Sequence, residues 1–432
     1  MIGWMNAISL FITILLGFGL EQVVTRRIAS SDRSDWAAGA FLVQSIIGFL
    51  MALTVLVLLN LFSSDFAATY KYLPWFFAAQ GLTYVGIPLK QFLNAKEKFT
   101  PYGLIAIISN SSKIIAIVCL QQLHILTING VIIIFISTAA FELACLLIYV
   151  LTKTTFSTKL HFNAYRKLLK ESSAQYISVI FDMSLSRMDW ILLGIMTTNV
   201  MLADYSFAYR SFELARLPIL IIAPVIMPRV SRLMAINNKP GVAHQQQLNA
   251  FNTVEMFFAM LIPLTLNILW VPAVNYITNG KYGDTNSAQF LVLSSCIPLQ
   301  FLINLLWSLS FGAKKYRSVT GITISCAVIN IALNLVLIPR LGGLGAAVSF
   351  LITTILQCSL LYNLVYRQIM TLSLKPFFLL MAVAMIVYLL VMPLNIQFYI
   401  KLPVAITAYV FIAILSRQIS RQHLYNFKQF LS

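Results

Sequence analysis

Long apolar runs separated by short polar connections make up nearly the whole chain. About 20 residues suffice to cross the hydrocarbon core of a bilayer as a helix. Thirteen runs reach that length or come close to it: 1–20, 37–62, 72–93, 101–122, 129–152, 173–197, 204–228, 251–277, 286–311, 318–338, 342–366, 376–393 and 398–416. The pattern predicts an all-α integral membrane protein with about thirteen transmembrane helices.

Composition agrees with this reading. Of 432 residues, 59% are hydrophobic and only 10% charged, with a mean hydropathy of +0.85. Soluble proteins carry about 25% charged residues. The formal charge of +17 does not point to nucleic acid, because the basic residues form no single polar segment. They alternate between connections. With Lys90 and Lys401, which lie near run ends, counted in the adjoining connections, 22 of the 30 Lys and Arg fall in every second connection and the C-terminal tail, four in the others, and four (Lys113, Arg187, Arg210, Arg216) well inside runs. Basic residues accumulate on the cytoplasmic side, so the C-terminus is expected in the cytoplasm and Met1 outside. Every outer connection is short and leaves no room for a soluble catalytic domain. The longest inner link, Thr152 to Ser172, contains "YRKLLKES". It reads either as an amphipathic stretch on the membrane surface or as a solvated connector.

The five cysteines lie singly in apolar runs and the four histidines are scattered. Neither a disulfide framework nor a metal site is expected. The first run has no basic region before it, so no cleavable signal peptide is expected.

Two stretches repeat. "NAKEKFTPYGLIAIISNSSKIIAIVCL" starts at Asn94, and "GAKKYRSVTGITISCAVINIALNLVLI" starts at Gly312. Ala95-Lys96 align with Ala313-Lys314, and Gly103 with Gly321. Runs 72–93, 101–122 and 129–152 thereby correspond to 286–311, 318–338 and 342–366. The basic links "TRRIASSDR" and "PRVSRLMAINNK" extend the match to the two preceding runs of each copy. Both copies have the same orientation, as in a parallel repeat about the membrane normal. The first copy has five helices and the second six, so a further helix is expected before Met1. The predicted divisions are an N-terminal lobe at 1–152, a C-terminal lobe at 153–366, and two extra helices with a tail at 367–432.

Several motifs resemble a known family. "NIALNLVLIPRLGGLGAAVSFLIT" (Asn330 to Thr353) resembles the asparagine-helix-Pro-x-x-Gly-x-x-Gly-Ala-Ala signature of polysaccharide flippases. "RMDWILLGIMTTNVMLADYSFAYRSFELARLP" resembles their seventh and eighth helices. "NGKYGDTNSAQFLVLSSCIPLQ" resembles their Phe-Gly-x-x-Tyr loop and tenth helix, with Asn279 where Phe is usual. "LGFGLEQVVTRRIAS" resembles the end of their second helix. The chain is similar along essentially its whole length to the Wzx-type O-antigen and polysaccharide flippases, whose superfamily also holds multidrug (MATE) exporters and the lipid II flippase. The resemblance implies two pseudo-symmetric six-helix lobes around a central cavity, alternating access, and two C-terminal helices beyond them. It implies a cargo of oligosaccharide on undecaprenyl diphosphate.

Moving a hydrated diphosphate through hydrocarbon requires groups that replace its water. Arginine suits diphosphate because its planar fork donates bidentately. The candidate cations are Lys113, Arg187, Arg210, Arg216, Arg26 and Arg27; the candidate acids are Asp182, Asp189, Glu142 and Glu213. Gln175, Ser178, Asp182, Ser186 and Asp189 are spaced 3, 4, 4, 3, along one helical face. Asp182 lies about 14 Å from the cytoplasmic end of its helix. Arg187 lies about 160° around the helix from Asp189, so it needs a partner on a neighbour or in water. The two aspartates need a wet or cationic surface. Arg210, Glu213 and Arg216 are three apart, so an acid can sit between two bases. Ser109, Asn110 and Lys113 share one side of their helix, and Thr138 and Glu142 are at i, i+4.

Plainer readings stand beside these. Arg26 and Arg27 also fit a topogenic role. Arg210, Glu213 and Arg216 also fit a structural ion network, and Arg216 precedes Pro218, where a freed carbonyl accepts a donor. Glu255 falls near an inner helix end and stays outside the cavity set. "LGGLGAA" reads as a turn with close helix packing and not as a phosphate cradle.

The resemblance implies a flippase carrying the lipid-linked repeat unit from the cytoplasmic to the periplasmic leaflet of a bacterial inner membrane. It implies H+ or Na+ coupling without an organic cofactor, and membrane lipid, a polymerase and a chain-length regulator as partners in lipopolysaccharide O-antigen or related synthesis. A cation-coupled multidrug exporter is the alternative, although the cations here at least match the acids. A membrane polymerase would need a large outer loop or an intramembrane His/Asp pair. No enzyme is expected.

Overall fold

The computed structural model describes all residues except 1, 31–34, 64–69, 97, 155, 157–161, 220–241, 314, 395, 417 and 419–432. Among the described residues there are fifteen α-helices and no strand. They are α1 (Ile2–Gly17), α2 (Leu20–Ser30), α3 (Trp36–Phe62), α4 (Leu73–Ala95), α5 (Phe99–Gln122), α6 (Ile128–Lys153), α7 (Phe162–Met196) and α8 (Asn199–Ala215), followed by α9 (Val242–Thr278), α10 (Ser287–Ser295), α11 (Ile297–Gly312), α12 (Tyr316–Leu341), α13 (Gly343–Gln368), α14 (Lys375–Val391) and α15 (Phe398–Leu415).

Backbone chemistry sets the boundaries. The first run ends at Phe18 and Gly19, which both take positive φ, 49° and 65°, and the basic link after it forms a second helix, α2. Positive φ is uncommon for a large side chain, and the Phe18 ring is held by stacking on Tyr176 at 4.9 Å. The run 286–311 breaks, at Cys296, because Pro298 sits in the first turn of α11 and has no N–H to carry α10 onward. Thr127 and Thr198 cap α6 and α8, their hydroxyls accepting from Gly130 N at 3.1 Å and Met201 N at 3.4 Å.

The link 152–172 is corrected. Its second half is neither a separate surface stretch nor a connector, because α7 begins at Phe162 and runs unbroken to Met196. Nothing within this span stops a helix: it has no proline, and its one glycine, Gly194, lies in the last turn. The run 204–228 starts earlier than predicted, at Asn199, and its part from 220 lies outside the described residues.

"LGGLGAA" behaves as expected of a close turn. Gly342 joins α12 to α13 with φ 56°, and a Cβ on Gly345 would lie 2.3 Å from Leu337 O. Below the turn, Asn334 Nδ2 donates to Asn330 Oδ1 at 2.9 Å and Asn330 Nδ2 donates to Thr353 Oγ1 at 3.0 Å, all three residues being buried. Such polar bonds tie helices together where hydrocarbon offers no hydrophobic drive.

Eight described segments are long and apolar enough to cross a membrane, and Gly3–Gly17 and Lys375–Val391 are shorter apolar helices. Helices α4 and α7 are diluted by polar residues that form the sites below. The outer surface is itself apolar: α5 buries little beyond Ser109 and exposes Ile107, Ile108, Ile114 and Ile115. A water-soluble protein does not present such a face, whereas lipid accepts it. The chain is an all-α, multi-pass membrane protein.

Internal packing divides the chain into Met1–Arg187 and Met188–Ser432. In the first unit α4 is central, packed on α1, α2, α3 and α6. In the second, α9 packs on α10, α11, α14 and α15, and α13 packs on α10, α11 and α12. The five cysteines are unpaired.

Candidate functional site

The first unit holds an ionic cluster on α4, α5 and α6. Glu142 is buried, and Lys90 Nζ lies 2.6 Å from its Oε1. Ser109, also buried, donates from its hydroxyl to Glu142 Oε2 at 3.1 Å. Lys113 is half-buried, with Nζ 5.2 Å from the centre of the Phe135 ring, and it feels the charges of both Glu142 and Lys90. Two lysines thus share one carboxylate, leaving a formal charge of +1 where water is scarce. A partly desolvated excess cation attracts an anion far more strongly than one on an open surface. Of the residues expected beside Lys113, Asn110 turns away: it is exposed and donates to Ala106 O of its own helix at 2.8 Å.

Nearer the end of α2, Arg27 Nη1 lies 3.6 Å from Glu171 Oε2, and its guanidinium lies 5.5 Å over Trp36. The side chains of Arg26, Gln175 and Ser178 lie outside the described residues. Polar groups also line α1, α3 and α7 within this unit. Tyr165 donates to Gln44 Oε1 at 2.6 Å, Gln44 donates to Leu16 O at 2.7 Å, and Tyr176 donates to Leu15 O at 3.0 Å.

The two aspartates of α7 part company. Asp182 is exposed, while Asp189 is 1% exposed. Asp189 Oδ1 accepts from the Trp190 N–H at 2.8 Å, and Oδ2 accepts a short hydrogen bond from the Tyr205 hydroxyl. A wet surface therefore does not describe Asp189, which takes two neutral donors within the protein. Arg187 is half-buried.

On α8, Arg210 stacks over Trp190 at 4.8 Å and pairs with Glu213 at 2.8 Å, its side chain being 46% exposed. Arg216 lies 5.6 Å over the Phe212 ring. Tyr205, Tyr209 and Phe212, spaced four and three apart, form the buried stripe beneath these cations. The second unit also holds an apolar groove of about 570 Å³ between α9, α10, α11, α13 and α14, with Met260, Leu264, Leu302, Leu351, Phe377 and Met381 in its wall.

Sequence reading missed Lys90 and Tyr205. Lys90 was grouped with the basic link that follows its helix, although it sits inside α4, two residues after Pro88. Tyr205 had a usable signal, since its stripe with Tyr209 and Phe212 opposes the polar face of α8.

These features define a class: a helical, multi-pass membrane protein with partly buried cations inside its helix packing and lipid-facing walls. Residues 3–234, more than half of the chain, match the polysaccharide biosynthesis protein family, and the chain belongs to that family. No curated protein matches the chain. Among solved structures it is similar to the lipid II flippase MurJ in an inward closed conformation, with TM-score 0.73 and 17% identity over 96% of this chain and 92% of that one. It is also similar to an inward-facing multidrug resistance MATE family transporter of the MOP superfamily (TM-score 0.60, 14% identity, 84% of this chain and 88% of that one). The Vibrio cholerae MATE transporter VcmN in its bent form gives TM-score 0.53 and 16% identity over 83% of this chain and 87% of that one. At these identities the likeness is one of fold.

Proposed function

We propose that the chain is a flippase that carries an isoprenoid-diphosphate-linked oligosaccharide, the repeat unit of an O-antigen or related surface polysaccharide, from the cytoplasmic to the periplasmic leaflet of a bacterial inner membrane. The observation that carries this reading is the coincidence of a polysaccharide biosynthesis family match with a lipid II flippase fold over nearly the whole chain.

The chemistry of the sites supports it. A diphosphate stripped of water needs preorganised cations. Lys90 and Lys113 against the single Glu142, and Arg187, Arg210 and Arg216 on α7 and α8, are such cations. Sugar hydroxyls can exchange hydrogen bonds with serine, threonine, glutamine and tyrosine groups such as Gln44 and Tyr165. The groove walled by Met260, Leu302 and Phe377 offers an apolar surface for a hydrocarbon tail. Alternating access coupled to a monovalent cation is the mode of action, with the C-terminus in the cytoplasm.

Deleting the gene should abolish the surface polysaccharide and leave lipid-linked repeat units in the cytoplasmic leaflet. Units accumulating in the periplasmic leaflet would point to a polymerase instead. The MATE likeness makes drug export the second reading. Increased drug sensitivity with normal surface polysaccharide would favour it.

A further inference from the structure

A buried acid outside all of these clusters has no partner among the described residues. Glu255, on α9 within the membrane-spanning stretch Gln245–Thr278, is 4% exposed, and no hydrogen bond reaches either of its carboxylate oxygens. One turn earlier, Asn252 is 0% exposed and its Oδ1 is likewise unpartnered. Residues three apart on a helix are neighbours on its surface. Three acceptor oxygens are thus buried within one turn with no donor among the described residues to satisfy them.

The orientation of the Asn252 amide is fixed by its other end. Asn252 Nδ2 donates to Ser373 O at 3.2 Å, and turning the amide over would set Oδ1 against that carbonyl. Ser373 belongs to a non-helical segment held along α9 by two further residues. Gln245 Nε2 donates to Thr371 O at 2.7 Å, and Asn249 Oδ1 accepts from Ser373 N at 3.0 Å. Gln245, Asn249 and Asn252 follow the i, i+4, i+7 line of one helix face. They fasten the link between α13 and α14 directly over the turn that holds Glu255.

Among the described residues the surroundings supply no counter-charge. The helices packed on α9 are α10, α11, α14 and α15. Together they bring no acid and two lysines: Lys375 in the first turn of α14, and Lys401, which donates to Met392 O at 2.9 Å. Tyr409 donates to Phe257 O at 3.1 Å, and Tyr362 on α13 donates to Leu372 O at 3.1 Å. Tyr388 and Tyr399 are the other titratable groups of α14 and α15. None of these groups reaches Glu255.

A carboxylate in hydrocarbon surroundings is expensive unless a positive charge accompanies it. We propose that Glu255 and Asn252 form a binding site for one monovalent cation beneath the 371–373 segment. A proton on Glu255 would turn one acceptor into a donor and allow a hydrogen bond to Asn252 Oδ1. A sodium ion would be ligated by the same three oxygens. In either case Asn252 is shared between the ion and Ser373, two residues before α14 begins. Occupancy is thereby linked to the seating of the connection into α14. A role as the coupling ion of transport rests on the flippase reading; the binding site itself does not.

The test uses the full chain in lipid nanodiscs, with radiolabelled Na+ for one arm and the infrared band of a protonated carboxyl for the other. Wild type should either bind one Na+ per chain, displaced by acid, or show a protonated carboxyl at neutral pH. Glu255→Gln, close in shape, should weaken Na+ binding by at least about tenfold or remove the band. Asn252→Leu should weaken Na+ binding several-fold or shift the band, and it carries the test should Glu255→Gln fail to run as a single species in size exclusion. Wild type negative in both arms, or signals unchanged in a well-folded Glu255→Gln, overturns the site. Ion binding that is present while surface polysaccharide is insensitive to Glu255→Gln counts against the coupling role only.

Discussion

Lys90 Nζ lies 2.6 Å from Glu142 Oε1, with the two side chains only 17% and 11% exposed, so that two helices of the first unit are joined by a nearly dry ion pair. Such a pair adds little stability compared with an apolar replacement, but removing one partner strands a charge at about 3–5 kcal/mol. Lys90→Met should therefore lower the unfolding temperature of the detergent-purified protein sharply. The double variant Lys90→Met/Glu142→Gln should recover most of the loss. A double variant as unstable as the single one would mean that Lys90 acts through packing and not through charge.

A second coupling joins Asp189 and Tyr205. The carboxylate is buried and takes the tyrosine hydroxyl as a close donor. Tyr205→Phe should destabilise by about 1.5–3 kcal/mol, the range for hydrogen bonds to charged groups. Combined with Asp189→Asn, the two effects should sum to less than their separate values, because each removes the same bond. Additive losses in thermal unfolding would contradict this.

The turn between α12 and α13 predicts opposite outcomes at two glycines. A Cβ at Gly345 would meet the Leu337 carbonyl at 2.3 Å, whereas nothing lies within 4 Å of one at Gly321. Gly345→Ala should cost about 1–3 kcal/mol through backbone displacement and reduce the amount of folded protein in membranes. Gly321→Ala, inside α12, should be neutral or stabilise by up to about 1 kcal/mol. Fluorescence-detected size exclusion of the two variants measures the contrast.

Much of this architecture was legible because bilayers impose simple rules. Helix existence followed from apolar length, and the segments 37–62, 101–122 and 342–366 agree closely with α3, α5 and α13. What failed were continuity and environment. The break at Phe18-Gly19 depends on a stacked Tyr176 far along the chain, and the unbroken α7 depends on nothing interrupting it, which hydropathy cannot register where charges are dense. The site was legible as a set of charged residues inside apolar runs. Their roles were not, because Asp182 and Asp189 share a face by periodicity and yet differ in burial, through a tyrosine 16 residues beyond Asp189. Lys90 was hidden for the opposite reason, its position near a helix end matching the statistics of topogenic charge. Glu255 was set aside for the same reason.

That difference in burial predicts different behaviour for the two acids of "FDMSLSRMDW" on substitution. Asp182 is exposed on α7 and Arg187 half-buried, whereas Asp189 is enclosed with Trp190 and Tyr205. An acid facing water or a ligand can change partners during a transport cycle; one sealed against a tyrosine holds a helix in place. Asp182→Asn and Arg187→Ala should therefore abolish surface polysaccharide while the protein reaches the membrane at normal levels. Arg187→Lys should restore it only in part, since a point charge does not reproduce the guanidinium fork on a diphosphate. Asp189→Asn should act differently, lowering the membrane level and the unfolding temperature together, with transport falling in proportion to the protein that remains. Quantitative immunoblots of membranes beside polysaccharide profiles resolve the four variants. Wild-type polysaccharide in both Asp182→Asn and Arg187→Ala at native expression would remove these residues from the transport path. A full membrane level of Asp189→Asn without transport would return Asp189 to it.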